Sequence, residues 1–402
     1  MTTTADEAKK KLNIAIVCDA VTDCVAGSFV STLRFSERLL TRGHKIIFIA
    51  ARSAKNPRDN YHGAIKTYRF PALLLPKSEG QLYIAFPRKA ELKKIFEAEQ
   101  IDIVHNMIPT PSSIAATRAA RALDIPVVNH SHTQPENLFM HIPSGPWVRF
   151  LNASFYRYMS WLYEKGDALI YPSLFSEQLL TGIHAKVEKH IISNGVDLKR
   201  FAPMDTAQFH ERFKIPIDKT LVLYAGRLHP EKSLDTLISS VPHILATSPD
   251  THFLIVGFGH LENALRTQAK LLGIEKSVQF LGRVTDEEMV MAQHAADIFV
   301  LPSLAELEGM VVLEAMAAGN PIVIANSPES ASTHFVDGNG FLFEPKNAID
   351  LAEKIVRLTS NPQLRKTISM RSFEMIRAYD IDESVKKLER LYYSLLNERV
   401  YA

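Results

Sequence analysis

Short β-branched apolar runs, separated by longer segments with helical spacing, occur along this chain in two successive sets. Near-continuous apolar strands that alternate with helices are typical of a parallel sheet covered by helices on both faces. The pattern therefore predicts an α/β protein with two doubly wound domains in succession. The strands of the first set are predicted at residues 13–17, 45–50, 102–106, 126–130 and 167–171, and those of the second at 220–225, 252–256, 278–281, 297–301 and 321–325.

A polar stretch near residues 198–218 separates the two sets of strands. We therefore expect an N-terminal domain over residues 1–200 and a C-terminal domain over residues 201–379. A length of 402 residues agrees with two hydrophobic cores rather than one. Residues 380–402 have the apolar spacing of a final helix, which we expect to pack back on the first domain.

The composition is that of a soluble globular protein, with 46% hydrophobic and 22% charged residues. The polar start lacks the apolar core of a signal peptide, and no uncharged apolar run approaches the roughly 18 residues of a membrane-spanning helix. Cys18 and Cys24 suit two reduced thiols rather than a disulfide framework or a zinc site. A net charge of +2 argues against a strongly basic nucleic-acid binder. We expect a cytoplasmic protein with no nucleic acid partner.

The segment from Glu306 to Glu314 places two carboxylates around the start of a helix. It follows the strand at residues 297–301, and the helix expected over residues 309–318 is ended by a glycine and a proline. The start of a helix is an anion site, because its first N–H groups lack partners and its dipole favours negative charge. Glu306, on the loop, and Glu314, about one turn inside the helix, would reach different parts of one ligand. The amides expected to face that ligand belong to Gly309, Met310, Val311 and Val312.

Two other interpretations of these glutamates stay open. Glu306 and Glu308 can be charges of a solvated loop, with Glu314 a surface charge favoured by the helix dipole. Alternatively, Glu306 and Glu314 can be the acid and nucleophile of a glycosidase, whose carboxyls lie roughly 5–9.5 Å apart. Eight residues of continuous helix would separate their Cα atoms by about 12 Å, so the hydrolase interpretation is the weaker one.

Two cations follow the first strand of the second domain. Arg227 comes directly after it, and Lys232 lies where the next helix begins. A planar guanidinium and a compact ammonium about one turn apart suit a diphosphate. The alternative is a solvated loop of mixed charge, since Glu231 lies between them.

Glycines follow two further strands of the second domain. Gly257 and Gly259 form an incomplete dinucleotide fingerprint, because Glu262 takes the place of the third glycine. This pair is weak support for a dehydrogenase but suits a tight turn beside a nucleotide. After the next strand, Arg283 and Val284 are candidates to flank a base.

The first domain offers a glycine and a histidine pair after its strands. Gly27, at the start of a helix, would allow close approach of backbone to a ligand. His130 and His132 follow the strand at residues 126–130, and no third ligand at convincing spacing supports a metal site. A strand-end histidine is often structural, but here its expected place at the ligand edge makes His132 a functional candidate.

Two segments of the first domain are candidates for contact with a membrane surface. Four cations, Arg88, Lys89, Lys93 and Lys94, lie on a predicted helix, and aromatic residues crowd residues 147–163. Basic and aromatic side chains favour anionic lipid and the headgroup level. The alternative is a solvated basic face beside an ordinary helix core.

These motifs, in this order, resemble the retaining nucleotide-sugar transferases of glycosyltransferase family 4, over essentially the whole chain. The resemblance rests on the Gly27 loop, His132 with Thr133, the segment at residues 193–203, Gly226 with Arg227 and Lys232, Gly257 with Gly259, and the pair Glu306 and Glu314 followed by Ala-Met-Ala-Ala-Gly-Asn-Pro. It implies a GT-B fold of two Rossmann-like domains that face a central cleft, with an N-terminal acceptor domain and a C-terminal donor domain.

The resemblance also implies a role for each matching residue. Glu306 contacts hydroxyls of the transferred sugar, Glu314 holds the ribose, and the amides at residues 309–312 take the distal phosphate. Arg227 and Lys232 neutralise the leaving diphosphate. His132 lies beside the anomeric carbon and orients the donor or assists transfer, with retention of configuration. No metal or other cofactor is implied.

Many family members have an aromatic residue or Gly-Phe-Gly after the first glutamate, whereas this chain has Leu307 and Glu308 before Gly309. This form resembles the subgroup that glycosylates diacylglycerol. The leading hypothesis is therefore a transferase that moves a hexose from a UDP- or GDP-sugar, such as UDP-glucose, to a lipid acceptor, with peripheral contact to the inner face of the membrane. The alternatives are a soluble or polysaccharide acceptor, a non-catalytic nucleotide-binding subunit and a nucleotide-sugar epimerase.

Overall fold

The computed structural model describes residues 10–21, 27–75, 83–135 and 145–400 of the chain. Two compact units divide it. Unit 1 comprises Met1–Asn194 together with Ser384–Ala402, and unit 2 comprises Gly195–Glu383.

Unit 1 is built from strands and helices that alternate along the chain. Its strands are β1 (Asn13–Val17), β2 (Lys45–Ala51), β3 (Asn60–His62), β4 (Ile65–Phe70), β5 (Ala72–Leu74), β6 (Tyr83–Ala85), β7 (Ile103–Asn106), β8 (Val127–His130), β9 (Ala168–Tyr171) and β10 (Glu188–Ile191). Its helices are α1 (Gly27–Thr41), α2 (Lys89–Ala98), α3 (Pro111–Arg121), α4 (Pro146–Tyr163) and α5 (Leu174–Leu179).

The main sheet of unit 1 has the strand order β10-β9-β8-β7-β1-β2-β4-β3. All of its pairs are parallel except β3 with β4. The chain leaves β1 towards β2 on one side and returns to β7 on the other, so the topological switch point lies between β1 and β7. The central strands β1, β7 and β8 are buried except at Asn13, and the last two residues of β7 and of β8 are buried polar side chains.

Unit 2 repeats the architecture. Its strands are β11 (Thr220–Ala225), β12 (Thr251–Val256), β13 (Val278–Gly282), β14 (Ile298–Leu301), β15 (Ala305–Glu306), β16 (Ile322–Ala325), β17 (Glu329–Ser330) and β18 (Gly340–Phe343). Its helices are α6 (Ala207–Phe213), α7 (Leu234–Thr247), α8 (Glu262–Leu271), α9 (Asp286–Ala295), α10 (Met310–Ala317), α11 (Ala348–Thr359) and α12 (Pro362–Ile376), with 3₁₀ turns at Leu198–Phe201, Pro230–Lys232, Ala331–Phe335 and Arg377–Tyr379.

The main sheet of unit 2 has the order β13-β12-β11-β14-β16-β18, and all of its pairs are parallel. Its switch point lies between β11 and β14. Both sheets confirm the predicted doubly wound α/β fold. The predicted strands agree with β1, β2, β7, β8 and β9 and with β11, β12, β13, β14 and β16 to within about one residue at each end.

The final helix predicted from its apolar spacing is α13 (Ile381–Val400). It begins in unit 2 and continues into unit 1. In unit 1, Glu389 accepts from Arg42 at 2.7 Å, and the hydroxyl of Tyr392 hydrogen-bonds Nδ1 of His105 at 2.7 Å. No helix in the described part of the chain is both long and apolar enough to cross a bilayer.

Candidate functional site

The predicted donor residues of unit 2 gather where β11 and β14 end, on the two sides of the switch point. Ligands of open α/β sheets bind at this position, because neighbouring loops diverge there and leave a crevice. The loop after β11 carries Arg227 and Lys232, and the loop after β14 leads to Glu306. Backbone contacts join the loops, since the amide of Leu304 donates to the carbonyl of Glu231 at 2.7 Å.

Lys232 and Glu306 form the central ion pair of this region. The Nζ of Lys232 lies 2.5 Å from Oε1 of Glu306, and both side chains are mostly buried. Glu306 was predicted on an open loop, but it lies in β15, which pairs in parallel with β17. The short strand holds the carboxylate beside a cation that comes from 74 residues earlier in the chain.

Arg227 is held by a glutamate that the sequence analysis left in a solvated loop. Nη2 of Arg227 lies 3.1 Å from Oε1 of Glu231, whose side chain is only 4% exposed. Tyr224, buried in β11, donates its hydroxyl to the carbonyl of Arg227 at 2.7 Å. The alternative of a solvated loop is therefore wrong for Glu231, since this carboxylate is buried and leaves the guanidinium about half exposed.

Gly309 precedes α10 in a conformation that other residues rarely adopt. Its φ is 83°, and a Cβ at this position would lie 2.1 Å from Oγ of Ser332. The amide of Val312 already donates to the carbonyl of Gly309 at 2.8 Å, so it is not one of the open amides that the sequence suggested. Met310 and Val311, at the first two positions of the helix, have no intrahelical acceptor for their N–H groups.

The other glutamates of this segment differ in burial from a solvated loop. Glu308 is only 3% exposed, so the alternative that made it a solvated charge is wrong. Glu314 lies in the second turn of α10 and is half-buried. Both carboxylates are therefore part of a packed helix start.

The loops after β12 and β13 pack against the same edge. A Cβ on Gly257 would lie 1.8 Å from the carbonyl oxygen of Gly226, so only glycine permits this approach. The guanidinium of Arg283 lies 4.0 Å from the ring centroid of Phe258. Val284 packs partly buried against the core of unit 2, whereas Arg283 is exposed.

In unit 1, three histidines form a stack at the ends of β7 and β8. The rings of His105 and His130 have centroids 5.5 Å apart, and those of His130 and His132 are 4.0 Å apart. Desolvation lowers the pKa of His105 and of His132 to about 3 and that of His130 well below its ordinary value. The stack is therefore neutral at physiological pH.

Several ring nitrogens of this stack are buried polar atoms without a hydrogen-bond partner among the described residues: Nε2 of His105, both nitrogens of His130, and Nε2 of His132. His132 as a whole is partly exposed, although its Nε2 is buried. The sequence analysis missed His105. Its position at the end of the strand next to β8 was the available signal, but the pairing of β7 with β8 is a long-range property.

Asp19, after β1, is a second buried titratable group that the sequence analysis missed. Burial raises its pKa to about 6, although Ser112 donates to its carboxylate at 2.7 Å and the amide of Ala85 donates at 3.2 Å. Gly27 is the first residue of α1, and the preceding loop at residues 22–26, with Cys24, lies outside the described residues.

Comparisons with known proteins follow the division into two halves. The family model described as glycosyltransferase family 4 matches residues 25–200, and the model described as glycosyl transferases group 1 matches residues 205–375. An α-monoglucosyldiacylglycerol synthase of Streptococcus pneumoniae is 28% identical over 79% of this chain and 72% of its own length. A second synthase of that name, from Acholeplasma laidlawii, is 23% identical over 96% of this chain and 98% of its own.

Solved structures share the fold. A sucrose-phosphate synthase from Thermosynechococcus elongatus matches 96% of this chain and all of its own with a TM-score of 0.79, at 20% sequence identity. At this level of identity, the likeness concerns the fold alone.

Proposed function

Because this chain belongs to the GT-B glycosyltransferases, with a family 4 N-terminal half and a group 1 C-terminal half, we propose that it transfers a hexose from a nucleoside diphosphate sugar to a membrane lipid such as diacylglycerol. Glycosyl transfer is the activity of the family. The donor, the acceptor and the roles of individual residues are our proposal.

The observation that carries the donor side is the Lys232–Glu306 ion pair beside the start of α10. A cation at 2.5 Å from a mostly buried carboxylate marks a place where a negative charge is stabilised. In the complex, the diphosphate of the donor replaces the Glu306 carboxylate as the partner of Lys232 and also lies beside Arg227. The two cations neutralise the charge that develops on the leaving group. The amides of Met310 and Val311 receive the distal phosphate.

The glutamates then recognise the neutral parts of the donor. Glu306, released from Lys232, accepts hydrogen bonds from sugar hydroxyls, and Glu314 accepts from the ribose. Arg283, stacked on Phe258, supplies a planar surface for the base. These roles need no metal ion, because the cations and the helix start supply the positive charge.

His132 serves the transfer step as a neutral group. Since its pKa is lowered to about 3, the ring offers a hydrogen bond and no positive charge at physiological pH. It orients the donor sugar, and the glycoside forms with retention of configuration.

The lipid acceptor is supported by helix α4. Trp147 and Phe150 are 77% and 65% exposed, and the sequence of this helix contains no Asp or Glu. Exposed aromatics on a helix without acidic residues suit the headgroup level of a membrane. The names of the two relatives agree with a glycerolipid acceptor for proteins of this kind. We therefore propose peripheral contact with the inner face of the membrane.

The test is an assay with diacylglycerol in phosphatidylcholine vesicles and a panel of radiolabelled donors, including UDP-glucose and GDP-mannose. We expect one donor to label the lipid and to raise the melting temperature by itself. Labelling of a soluble glycan but not of the lipid contradicts the acceptor, and an inverted glycoside contradicts retention. The matched control is Glu329→Gln, an exposed carboxylate of β17, the strand that pairs with β15, whereas Glu306→Gln should abolish labelling.

A further inference from the structure

A cavity of about 320 Å³ opens between α3 and α4 of unit 1. Three of its lining side chains are cations, Arg118, Arg121 and Lys165, and a fourth is the indole of Trp161. Ile114 and Leu162 supply its apolar wall. The described lining contains no acidic residue.

The three cations have no hydrogen-bond or ion-pair partner for their side chains among the described residues. Other cations of unit 1 differ in this respect, since Lys45 and Lys66 both lie 2.8 Å from Glu99. Three positive charges that converge on one cavity repel each other unless an anion joins them. The cavity therefore has the charge of an anion site.

Three acidic residues are close to the cavity along the chain: Glu164 is exposed and is not part of the lining, and Asp124 and Asp167 pair with a cation of the last helix. Arg399 of α13 lies 2.6 Å from Asp124 and 2.9 Å from Asp167. Asp124 follows α3 and Asp167 precedes β9, so both flank the cavity in sequence. Because Arg399 binds these two carboxylates, they do not neutralise the cavity.

The cavity lies away from the strand ends that carry the histidine stack. Helix α3 starts after the carboxyl end of β7 and runs back along the sheet, so Arg118 and Arg121, in its last turn, lie towards the opposite edge. Lys165 lies just before β9 and therefore at that opposite edge too. His132, in contrast, follows the carboxyl end of β8. The cavity is thus separate from the candidate catalytic residues of unit 1.

One face of α4 continues from the cavity. Trp147, Phe150, Arg157 and Trp161 follow at spacings of three, seven and four residues, which places them on one side of a helix. All four are exposed. An aromatic and basic face of this kind lies in the headgroup region of a bilayer, with its cations next to lipid phosphates.

We propose that the cavity between α3 and α4 binds the phosphate group of an anionic phospholipid, with Arg118, Arg121 and Lys165 as its ligands and Trp161 at the level of the headgroup. This site holds the protein on anionic membrane independently of the transfer reaction. Its test therefore needs neither donor nor acceptor, so that failure of the proposed glycosyl transfer would leave the result intact.

The experiment measures co-sedimentation of the full chain with vesicles of phosphatidylcholine, with and without phosphatidylglycerol. We expect binding that depends on phosphatidylglycerol and weakens with added salt. Combined Arg118→Gln, Arg121→Gln and Lys165→Gln substitutions should lower the partition coefficient on the order of a hundredfold. The matched control replaces Lys270, Lys276 and Lys366 by Gln. These exposed cations of unit 2 carry the same total charge, and their loss should change binding little.

Tryptophan fluorescence locates the contact without removing any cation. Trp147 and Trp161 are the two tryptophans of the sequence, so Trp147→Phe leaves Trp161 as the only indole. We expect its emission to shift to the blue with phosphatidylglycerol vesicles and to change little with phosphatidylcholine or with soluble glycerol phosphate.

Three results would overturn the proposal. Equal loss of binding in the two triple variants would indicate a response to net charge alone. Unchanged Trp161 emission on vesicles that bind the protein would place the contact elsewhere. An equal response to glycerol phosphate would assign the cavity to a soluble anion.

Discussion

The charged and titratable residues at the strand ends differ between the two units in whether they have partners of opposite charge. In unit 2, Lys232 and Arg227 each lie within about 3 Å of a largely buried glutamate, so the site holds paired ions. In unit 1, burial keeps His105 and His132 neutral and raises the pKa of Asp19 to about 6. The same architecture therefore yields paired ions in one unit and, in the other, a buried environment that disfavours the charged forms of its titratable groups.

Replacing Lys232 by Gln tests the charged side of this comparison and should have the largest effect. We expect turnover to fall on the order of a hundred- to a thousandfold, because the leaving diphosphate loses a preorganised cation. The measurement is the initial rate at saturating donor and acceptor. Arg371→Gln is the control, since it removes a cation from an exposed pair with Asp337, and its rate should be unchanged. Equal rates for Lys232→Gln and the wild type would contradict the assignment.

Replacing Asp19 by Asn tests the effect of burial on a titratable group of unit 1. Burial raises the pKa of Asp19 in the folded protein from its ordinary value of 3.8 to about 6, so the stability contributed by this group is present below about pH 4 and lost as pH rises through 6. At pH 7 we expect Asp19→Asn to be more stable than the wild type by roughly 3 kcal/mol, with the difference vanishing near pH 4. Urea unfolding across this range measures it.

The control for Asp19 is Asp337→Asn, in which the replaced carboxylate is mostly exposed. Both variants remove one negative charge, so an effect of net charge alone would be equal in the two variants. A constant difference between Asp19→Asn and the wild type at every pH would show that this carboxyl does not titrate in the window.

The histidine stack should have the opposite dependence on pH. The pKa of His105 is lowered from 6.5 to about 3, so its contribution to stability is present above pH 6.5 and lost as pH falls towards 3. At pH 5 the loss from His105 is about 2 kcal/mol. The protection factors of amides in β7 and β8, which correct for the intrinsic pH dependence of hydrogen exchange, should therefore fall more than those in β11 and β12 on acidification.

This measurement belongs in the Asp19→Asn background, because Asp19 contributes with the reverse sign. His105→Phe in the same background should flatten the pH dependence of β7 and β8. If acidification lowers the protection of the two units equally, both with and without His105→Phe, the proposed difference between the two units is wrong.

Removal of the Tyr392 hydroxyl should have the smallest effect. Tyr392→Phe leaves Nδ1 of His105 buried without its partner at 2.7 Å, so we expect a loss of about 1–2 kcal/mol in the stability of unit 1. Tyr393→Phe is the matched control, because its hydroxyl donates to the backbone carbonyl of Lys10 at an exposed position. The free energies of unfolding of the two variants, measured with denaturant, should differ. Equal values would show that the hydrogen bond between Tyr392 and His105 does not stabilise unit 1.

Residues with strong local signals were predicted well. The long apolar strands, the final helix and the helix start after Gly309 follow from periodicity and from glycine and proline positions. Strands β3, β5, β6, β10, β15, β17 and β18, which have two to four residues, were missed. The six-residue strand β4 was missed as well, because Lys66, Thr67 and Arg69 interrupt its apolar sequence. The four-residue strands that were predicted, such as β14 and β16, are continuous apolar runs, which the missed ones of two and three residues are too short to show.

Burial of charged residues was the point that local patterns left open at the candidate site. A solvated loop stayed an alternative for Glu231 and Glu308, and the structure excludes it, since both side chains are buried. Their partners depend on how loops fold against one another, which no local pattern shows. For Arg227 and Lys232 the residue types indicated the chemistry, but the carboxylates that hold them became visible only in the folded unit.

The sequence by itself determined two doubly wound α/β units and the strand ends from which functional side chains project, because strand and helix periods are local and repeat within a few residues. Only the tertiary structure decided which strand ends are neighbours. The order β11-β14 brings Lys232 to Glu306, and the order β7-β8 brings His105 to His130. The physical reason is that these pairings depend on backbone hydrogen bonds and apolar burial between segments far apart in the chain. Which of the alternative strand orders is most stable depends on the packing of the whole core.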